Sequence, residues 1–126
     1  MGAVTLLVDT SVLTGSVAPP RTTERYAVSV VSVGELEAGV LLAKRGTVRA
    51  ERLARLTAVL AQAMVLPVDR HVATLYGRLR ARAKDRKPHN DLWIAATALA
   101  HGLTLVTADE KQAALPLVRT QLIRGR

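Results

Sequence analysis

The chain carries ten carboxylates against eighteen lysines and arginines, and four of the ten fall where apolar segments begin or end. Asp9 closes Leu6-Leu7-Val8, and Glu35 follows Val30-Val31-Ser32-Val33-Gly34. Asp91 opens Leu92-Trp93-Ile94, and Asp109 follows Leu105-Val106-Thr107-Ala108. Carboxylates held within a few ångströms repel one another and raise each other's pKa values. A divalent cation removes that penalty, and an all-oxygen ligand set selects Mg²⁺ or Mn²⁺ over softer metals. Among so many cations, such a site suits phosphodiester cleavage. The metal would lower the pKa of an attacking water and neutralise charge in the transition state.

Whether the four acids meet depends on the elements that carry them. Short runs rich in β-branched residues span Val4 to Val8, Ala27 to Val33, Met64 to Val68, Leu103 to Thr107 and, more weakly, Leu117 to Ile123. Apolar on both faces, they read as buried parallel strands. Between them, Leu53, Leu56, Leu60 and Ala63 repeat at helical spacing. Val72, Leu75, Leu79 and Ala83 do the same, as do Leu92, Ala95, Ala96 and Leu99, with Gly102 as the stop after the last. The order is strand, short helix, strand, helix pair, strand, helix pair, strand, short helix, weak strand. It predicts an α/β fold, a three-layer α/β/α sandwich on a four- to five-stranded, mainly parallel sheet. In such sheets ligands bind outside the carboxyl ends of the strands. Asp9, Glu35 and Asp109 follow strands, and Asp91 opens a crossover helix antiparallel to them, so all four are expected at one rim.

Each acid also has a purely structural reading. Asp9 fits the cap of the helix after it, and Ser32 with Glu35 fits a capping box. Asn90 fits a cap that leaves Asp91 in the first turn, where the helix dipole favours an acid. Asp109 fits the cap of the following short helix. Yet Ser, Thr and Asn cap as well as carboxylates do. Capping therefore does not explain why acids gather at one rim of a basic chain.

The length fits one domain over residues 1–126, with no repeat or linker, and suffices for a core without staples. Absent cysteine excludes disulfides, thiolate zinc sites, Fe–S clusters and a cysteine nucleophile. No apolar run approaches the roughly 18 residues of a membrane span, and Met1-Gly2-Ala3-Val4-Thr5 does not resemble a signal peptide. The expectation is a cytoplasmic protein without a membrane. The net charge of +8 suits an anionic partner such as nucleic acid, although a G+C-rich genome also favours Arg. With one Trp, two Tyr and no Phe, base-stacking platforms are lacking, so a nucleic acid would be held mainly by its backbone.

In order along the chain, four segments resemble the successive motifs of the PIN domain. They are Leu7-Val8-Asp9-Thr10-Ser11-Val12-Leu13, Ser32-Val33-Gly34-Glu35-Leu36-Glu37-Ala38-Gly39, Asn90-Asp91-Leu92-Trp93-Ile94-Ala95-Ala96-Thr97-Ala98 and Leu105-Val106-Thr107-Ala108-Asp109. They are most similar to those of VapC toxins, the ribonuclease halves of type II toxin–antitoxin pairs. The resemblance implies Asp9 and Asp91 as the main ligands of Mg²⁺ or Mn²⁺. It also implies Glu35 completing the acidic cluster, Asp109 as fourth acid, and hydroxyls of Ser11 and Thr107 nearby. It further implies an RNA substrate such as tRNA or rRNA, a homodimer, and a VapB-type antitoxin lying across the acidic groove. An antitoxin Arg would pair there with the carboxylates in place of the cation. After Asp109 the family commonly continues with a residue pair ending in Phe, where this chain has Glu110-Lys111-Gln112-Ala113. Asp109 and Glu110 thus both stand open as the metal-facing acid, and motif register favours Asp109.

Several other residues carry expectations. Glu37 lies about 200° round a helix from Glu35 and should face solvent. His89 is either a plain loop residue or a substrate contact; His71 and His101 sit in helical patterns, and no His pair has zinc spacing. The basic run Arg78, Arg80, Arg82, Lys84, Arg86 and Lys87 leads towards Asp91, and its near end, Arg86 and Lys87, is the candidate for RNA phosphate contacts. Lys44, Arg45, Arg49, Arg52 and Arg55 should line an exposed helix. Trp93 fits core or dimer packing better than a stacked base. Leu36, Val40, Leu41 and Leu42 form a wider apolar face than a monomer should bury. The reading is a metal-dependent endoribonuclease toxin, with a non-catalytic PIN-like RNA-binding or scaffold domain as the alternative. Acids at all four expected positions disfavour that alternative. Phosphoryl transfer through an aspartyl intermediate needs a second acid near the first, which Asp9-Thr10-Ser11 lacks, and neither G-x-G-x-x-G nor a Walker loop occurs.

Overall fold

Strands three or four residues long make the spine of the molecule. The central three, Leu6–Val8, Ala27–Ser29 and Thr104–Thr107, are largely buried because they feed alternate side chains to helices on opposite sides. The edge strands Met64–Leu66 and Thr120–Leu122 are not, contrary to the reading of every strand as buried. The computed structural model describes residues 3–15, 25–83 and 89–124. In chain order the elements are β1 (Leu6–Val8), α1 (Thr10–Thr14), β2 (Ala27–Ser29), α2 (Val30–Leu42), α3 (Gly46–Gln62) and β3 (Met64–Leu66). There follow α4 (Arg70–Ala83), α5 (His89–Ala100), β4 (Thr104–Thr107), α6 (Glu110–Ala113) and β5 (Thr120–Leu122). The sheet runs β3-β2-β1-β4-β5, with every neighbouring pair parallel. The strand order reverses at β1, so the site expected at a switch point falls beside β1 and β4.

The period of two divides the interior. Leu7, Ala27 and Leu105 pack with Val72, Leu75 and Leu79 of α4 and Leu92, Ile94 and Ala95 of α5. Val8, Val28 and Val106, one residue on in each strand, pack with Val12 of α1, Leu36 and Val40 of α2, and Leu56 and Val59 of α3. The three-layer α/β/α sandwich is thus present, with five strands.

The second strand is shorter than its composition predicts. It stops at Ser29 rather than Val33, because the Ser29 hydroxyl accepts the Val31 amide at 3.1 Å and starts α2 at once. Ser32 therefore lies inside the helix, and the capping box expected of Ser32 and Glu35 does not form. The last strand likewise contracts to Thr120–Leu122, after a turn in which Leu117 takes φ 73°. Gly102, at φ 66°, ends α5 as its place in the sequence predicts.

Candidate active site

Asp9 leaves β1 with its amide still bonded to the Val106 carbonyl at 2.8 Å. It stands at the N-terminus of α1, yet its side chain makes no cap hydrogen bond, so the capping reading fails here. The carboxylate is 2% exposed. Its Oδ2 accepts from the Ser11 hydroxyl at 2.7 Å and the Thr107 hydroxyl at 2.9 Å. Each hydroxyl spends its one proton on Asp9 and accepts an amide in return, Ser11 from Ala108 at 2.9 Å and Thr107 from Asp109 at 3.0 Å. This brace fixes the end of β1 to the end of β4. The second oxygen, Oδ1, is buried and has no partner among the described residues.

Glu35 sits in the second turn of α2, half-buried. The Thr10 hydroxyl donates to its Oε1 at 2.7 Å and the Asn90 amide donates to its Oε2 at 3.3 Å. Since Thr10 gives its proton to Glu35, the contact of 2.7 Å between the Thr10 and Ser32 hydroxyls has Ser32 as donor. Ser32 is one turn before Glu35 on the same face of α2.

Asp91 lies in the first turn of α5. Its carbonyl accepts from Gln112 Nε2 at 2.8 Å, which ties the start of α5 to α6. Gln112 is wholly buried, and among the described residues its Oε1 has no partner. Asp109 caps α6 by accepting the Lys111 amide at 2.9 Å, the structural role that its position suggested. The adjacent Glu110 turns outward to Arg124 at 3.1 Å, both side chains about three-quarters exposed.

Contacts made across the chain thus link the four acids at the carboxyl edge of the sheet. Asp9 is braced to the backbone at Asp109, Asp109 caps the helix whose Gln112 holds Asp91, and Asn90 beside Asp91 holds Glu35, which Thr10 joins back to Asp9. Among the described residues, however, no three acidic or histidine side chains are gathered as a ready cage for an ion. The donor chemistry nevertheless fits a hard divalent cation: all four groups are carboxylates, and Asp9 offers a buried oxygen that no donor among the described residues satisfies.

The sequence gives no warning of Gln112, because nothing local marks a glutamine as the holder of a residue 21 positions away. Thr10 and Ser32 carried a faint signal, being hydroxyls next to and one turn before expected acids. Arg86 and Lys87 lie outside the described residues. His89 opens α5 and meets the Tyr76 hydroxyl through Nδ1, while Arg80 Nη1 stands 3.3 Å from both ring nitrogens and so over the ring face. Trp93 stacks on Tyr76, with ring centroids 3.9 Å apart, and packs between α4 and α5. Glu37 is exposed.

The arginines of α3 line an exposed helix, as expected, and three of them also reach backbone carbonyls of the neighbouring helices. Arg49, Arg52 and Arg55 share one face by their spacing of three, and that face meets α1 and α2. Arg49 donates to the Ala43 carbonyl at 3.1 Å, Arg52 to that of Gly39 at 2.7 Å, and Arg55 to that of Thr14 at 3.3 Å. Helix ends leave such carbonyls unpaired and partly negative, which draws the guanidinium groups in.

The chain is similar to known proteins over most of its length. The PIN domain profile matches residues 6–117. Ribonuclease VapC4 of Mycobacterium tuberculosis is 46% identical over 120 residues, which cover 87% of this chain and 90% of that protein. Ribonuclease VapC5 of the same organism is 44% identical over 95 residues, 73% of this chain and 70% of that protein. The crystal structure of VapBC-5 from Mycobacterium tuberculosis, a member of the VapBC family of toxin–antitoxin systems, superposes with a TM-score of 0.81. That match has 37% identity and covers 98% of this chain and all of that one.

Proposed function

This chain belongs to the PIN-domain family and within it to the VapC ribonucleases, and on that premise we propose that it is a Mg²⁺- or Mn²⁺-dependent endoribonuclease toxin. It hydrolyses phosphodiester bonds in structured RNA such as tRNA or rRNA, as one nuclease domain over residues 1–126 acting in the cytoplasm. The observation that carries the metal-dependent part is the buried Asp9 carboxylate, braced through Oδ2 and unpartnered at Oδ1, in a circuit with Glu35, Asp91 and Asp109.

Asp9 and Asp91 would hold the cation. Bound there, it would supply a lowered pKa for the attacking water and charge neutralisation at phosphorus. Ser11 and Thr107 keep the Asp9 carboxylate from rotating. Glu35, fixed at both oxygens by Thr10 and Asn90, orients the water for direct attack on phosphorus, without a covalent enzyme intermediate. Asp109 anchors α6 and adds a fourth negative charge to the rim.

The likeness to a VapBC complex supports a VapB-type antitoxin that silences the enzyme by laying an Arg against the carboxylates. A homodimer accounts for Leu41 and Leu42, which remain 73% and 75% exposed at the end of α2, while Leu36 and Val40 are buried. Among the described residues no helix is long and apolar enough to cross a membrane.

Asp9→Asn or Asp91→Asn should abolish cleavage of tRNA while circular dichroism and the melting temperature show an intact fold, and excess EDTA should silence the wild type. Cleavage at the wild-type rate in either variant, or in EDTA, overturns the mechanism.

A further inference from the structure

Beside Glu35 lies a pocket of about 210 Å³ lined by Thr14, Glu35, Leu36, Gly39, Arg52 and Arg55. We propose that Arg52 and Arg55 form a phosphate subsite there, which takes a backbone phosphate of the RNA next to the one that is cleaved. The proposal rests on the ribonuclease reading above and extends it to residues that sequence reasoning assigned to plain surface.

Charge comes first. Both oxygens of Glu35 accept hydrogen bonds from neutral donors, Thr10 and Asn90, which hold the carboxylate in place and leave its charge unchanged. Among the described residues neither guanidinium has a carboxylate partner. The pocket therefore presents two positive groups against the single carboxylate of its lining.

Geometry comes second. A guanidinium has five N–H donors, and the contacts to the Gly39 and Thr14 carbonyls occupy one nitrogen of each arginine. If capping helix ends were the whole task, a lysine would serve. The tethers hold two planar forks in place before anything binds, which lowers the ordering cost of gripping a tetrahedral anion.

Size and place come third. At about 210 Å³ the pocket is smaller than the roughly 300 Å³ at which pockets for drug-sized ligands begin. A phosphate fits where a nucleoside would not. Glu35 forms one wall and also belongs to the circuit of Asp9 and Asp91, so an anion held there lies beside the reacting centre. An RNA that spans the acidic rim offers such an anion at every nucleotide. An acidic side chain of the antitoxin is the rival occupant.

The test uses the full chain carrying Asp9→Asn, which binds without cutting, and a labelled tRNA titrated at several KCl concentrations. Arg52→Gln and Arg55→Gln should each weaken binding about tenfold, as expected for a lost charge-assisted hydrogen bond. The double variant should fall little further, because both groups grip one phosphate. The slope of log K against log salt should shrink by about 0.7, the value for one phosphate on a single strand. Arg52→Lys with Arg55→Lys should keep the slope and lose affinity, and it serves also should the Gln variants fail to fold. Unchanged affinity and slope in folded variants overturns the proposal, as does weakened antitoxin binding with unaltered tRNA binding. Should wild-type protein neither bind nor cleave tRNA, the ribonuclease reading itself fails. The pocket is then judged by whether inorganic phosphate raises the melting temperature of the wild type but not of the double Gln variant; an equal rise in both overturns it.

Discussion

A buried carboxylate that takes two hydroxyls on one oxygen and leaves the other bare is an expensive arrangement for stability alone. An unsatisfied buried acceptor costs about 1–3 kcal/mol, and an apolar residue would not incur it. Asp9 keeps that cost at the end of a central strand, which is reasonable only if something else completes the group. Mg²⁺ should therefore stabilise the wild type, by about 2.7 kcal/mol at one hundred times its dissociation constant. The Asp9→Asn variant should gain little, and thermal melts in Mg²⁺ and in EDTA check this. Thr107→Val removes one of the two donors to Oδ2 with little change of shape. Activity should fall about 10- to 100-fold, the usual effect of losing a partner that orients a metal ligand. Steady-state cleavage rates across a Mg²⁺ titration would register it; an unaltered rate and Mg²⁺ requirement would deny the brace a role.

At the scale of elements, the turn chemistry overrides the composition twice. The run Val28-Ser29-Val30-Val31-Ser32-Val33 has strand composition throughout, yet its last four residues are helix, because Ser29 caps α2. β-propensity reports fit to a half-buried surface rather than a fixed backbone preference, and here one hydroxyl decides. Ser29→Ala should cost about 1 kcal/mol in urea unfolding, the typical value of an N-cap. Leu117 holds a left-handed backbone while its side chain is 45% exposed. That conformation costs a non-glycine residue about 1–2 kcal/mol, and glycine's extra unfolded-state entropy takes back about 0.5–1. Leu117→Gly should thus raise stability by about 0.5–1 kcal/mol, and a lower urea midpoint would contradict this. The order of elements was legible because apolar periods of two and near four differ over even short windows. The boundaries were not, since they turn on single capping contacts.

For the molecule as a whole, net charge and exposed apolar surface set how it meets others. A chain of net +8 that grips RNA through phosphates should lose at least tenfold in affinity between about 50 and 200 mM salt, as a filter-binding series would show. Leu41 and Leu42 contribute little to the interior, so changing both to Glu should move the stability of the monomer by no more than about 0.5 kcal/mol. The same change should halve the mass seen by light scattering; an intact dimer would put the self-contact elsewhere.

What the amino-acid order determined by itself was the alternation of strands and helices and, through it, the edge to which Asp9, Glu35, Asp91 and Asp109 belong. Both follow from short-range periodicity and from the handedness of crossovers, which need no knowledge of distant partners. Only the tertiary structure decided which oxygen of Asp9 is engaged, that Thr10 and Asn90 aim Glu35, and that Gln112 holds Asp91. Those contacts join residues from 21 to 98 positions apart, the pair of Ser11 with Asp9 excepted. Only packing brings such residues together, so their pairing leaves no periodic trace in the chain.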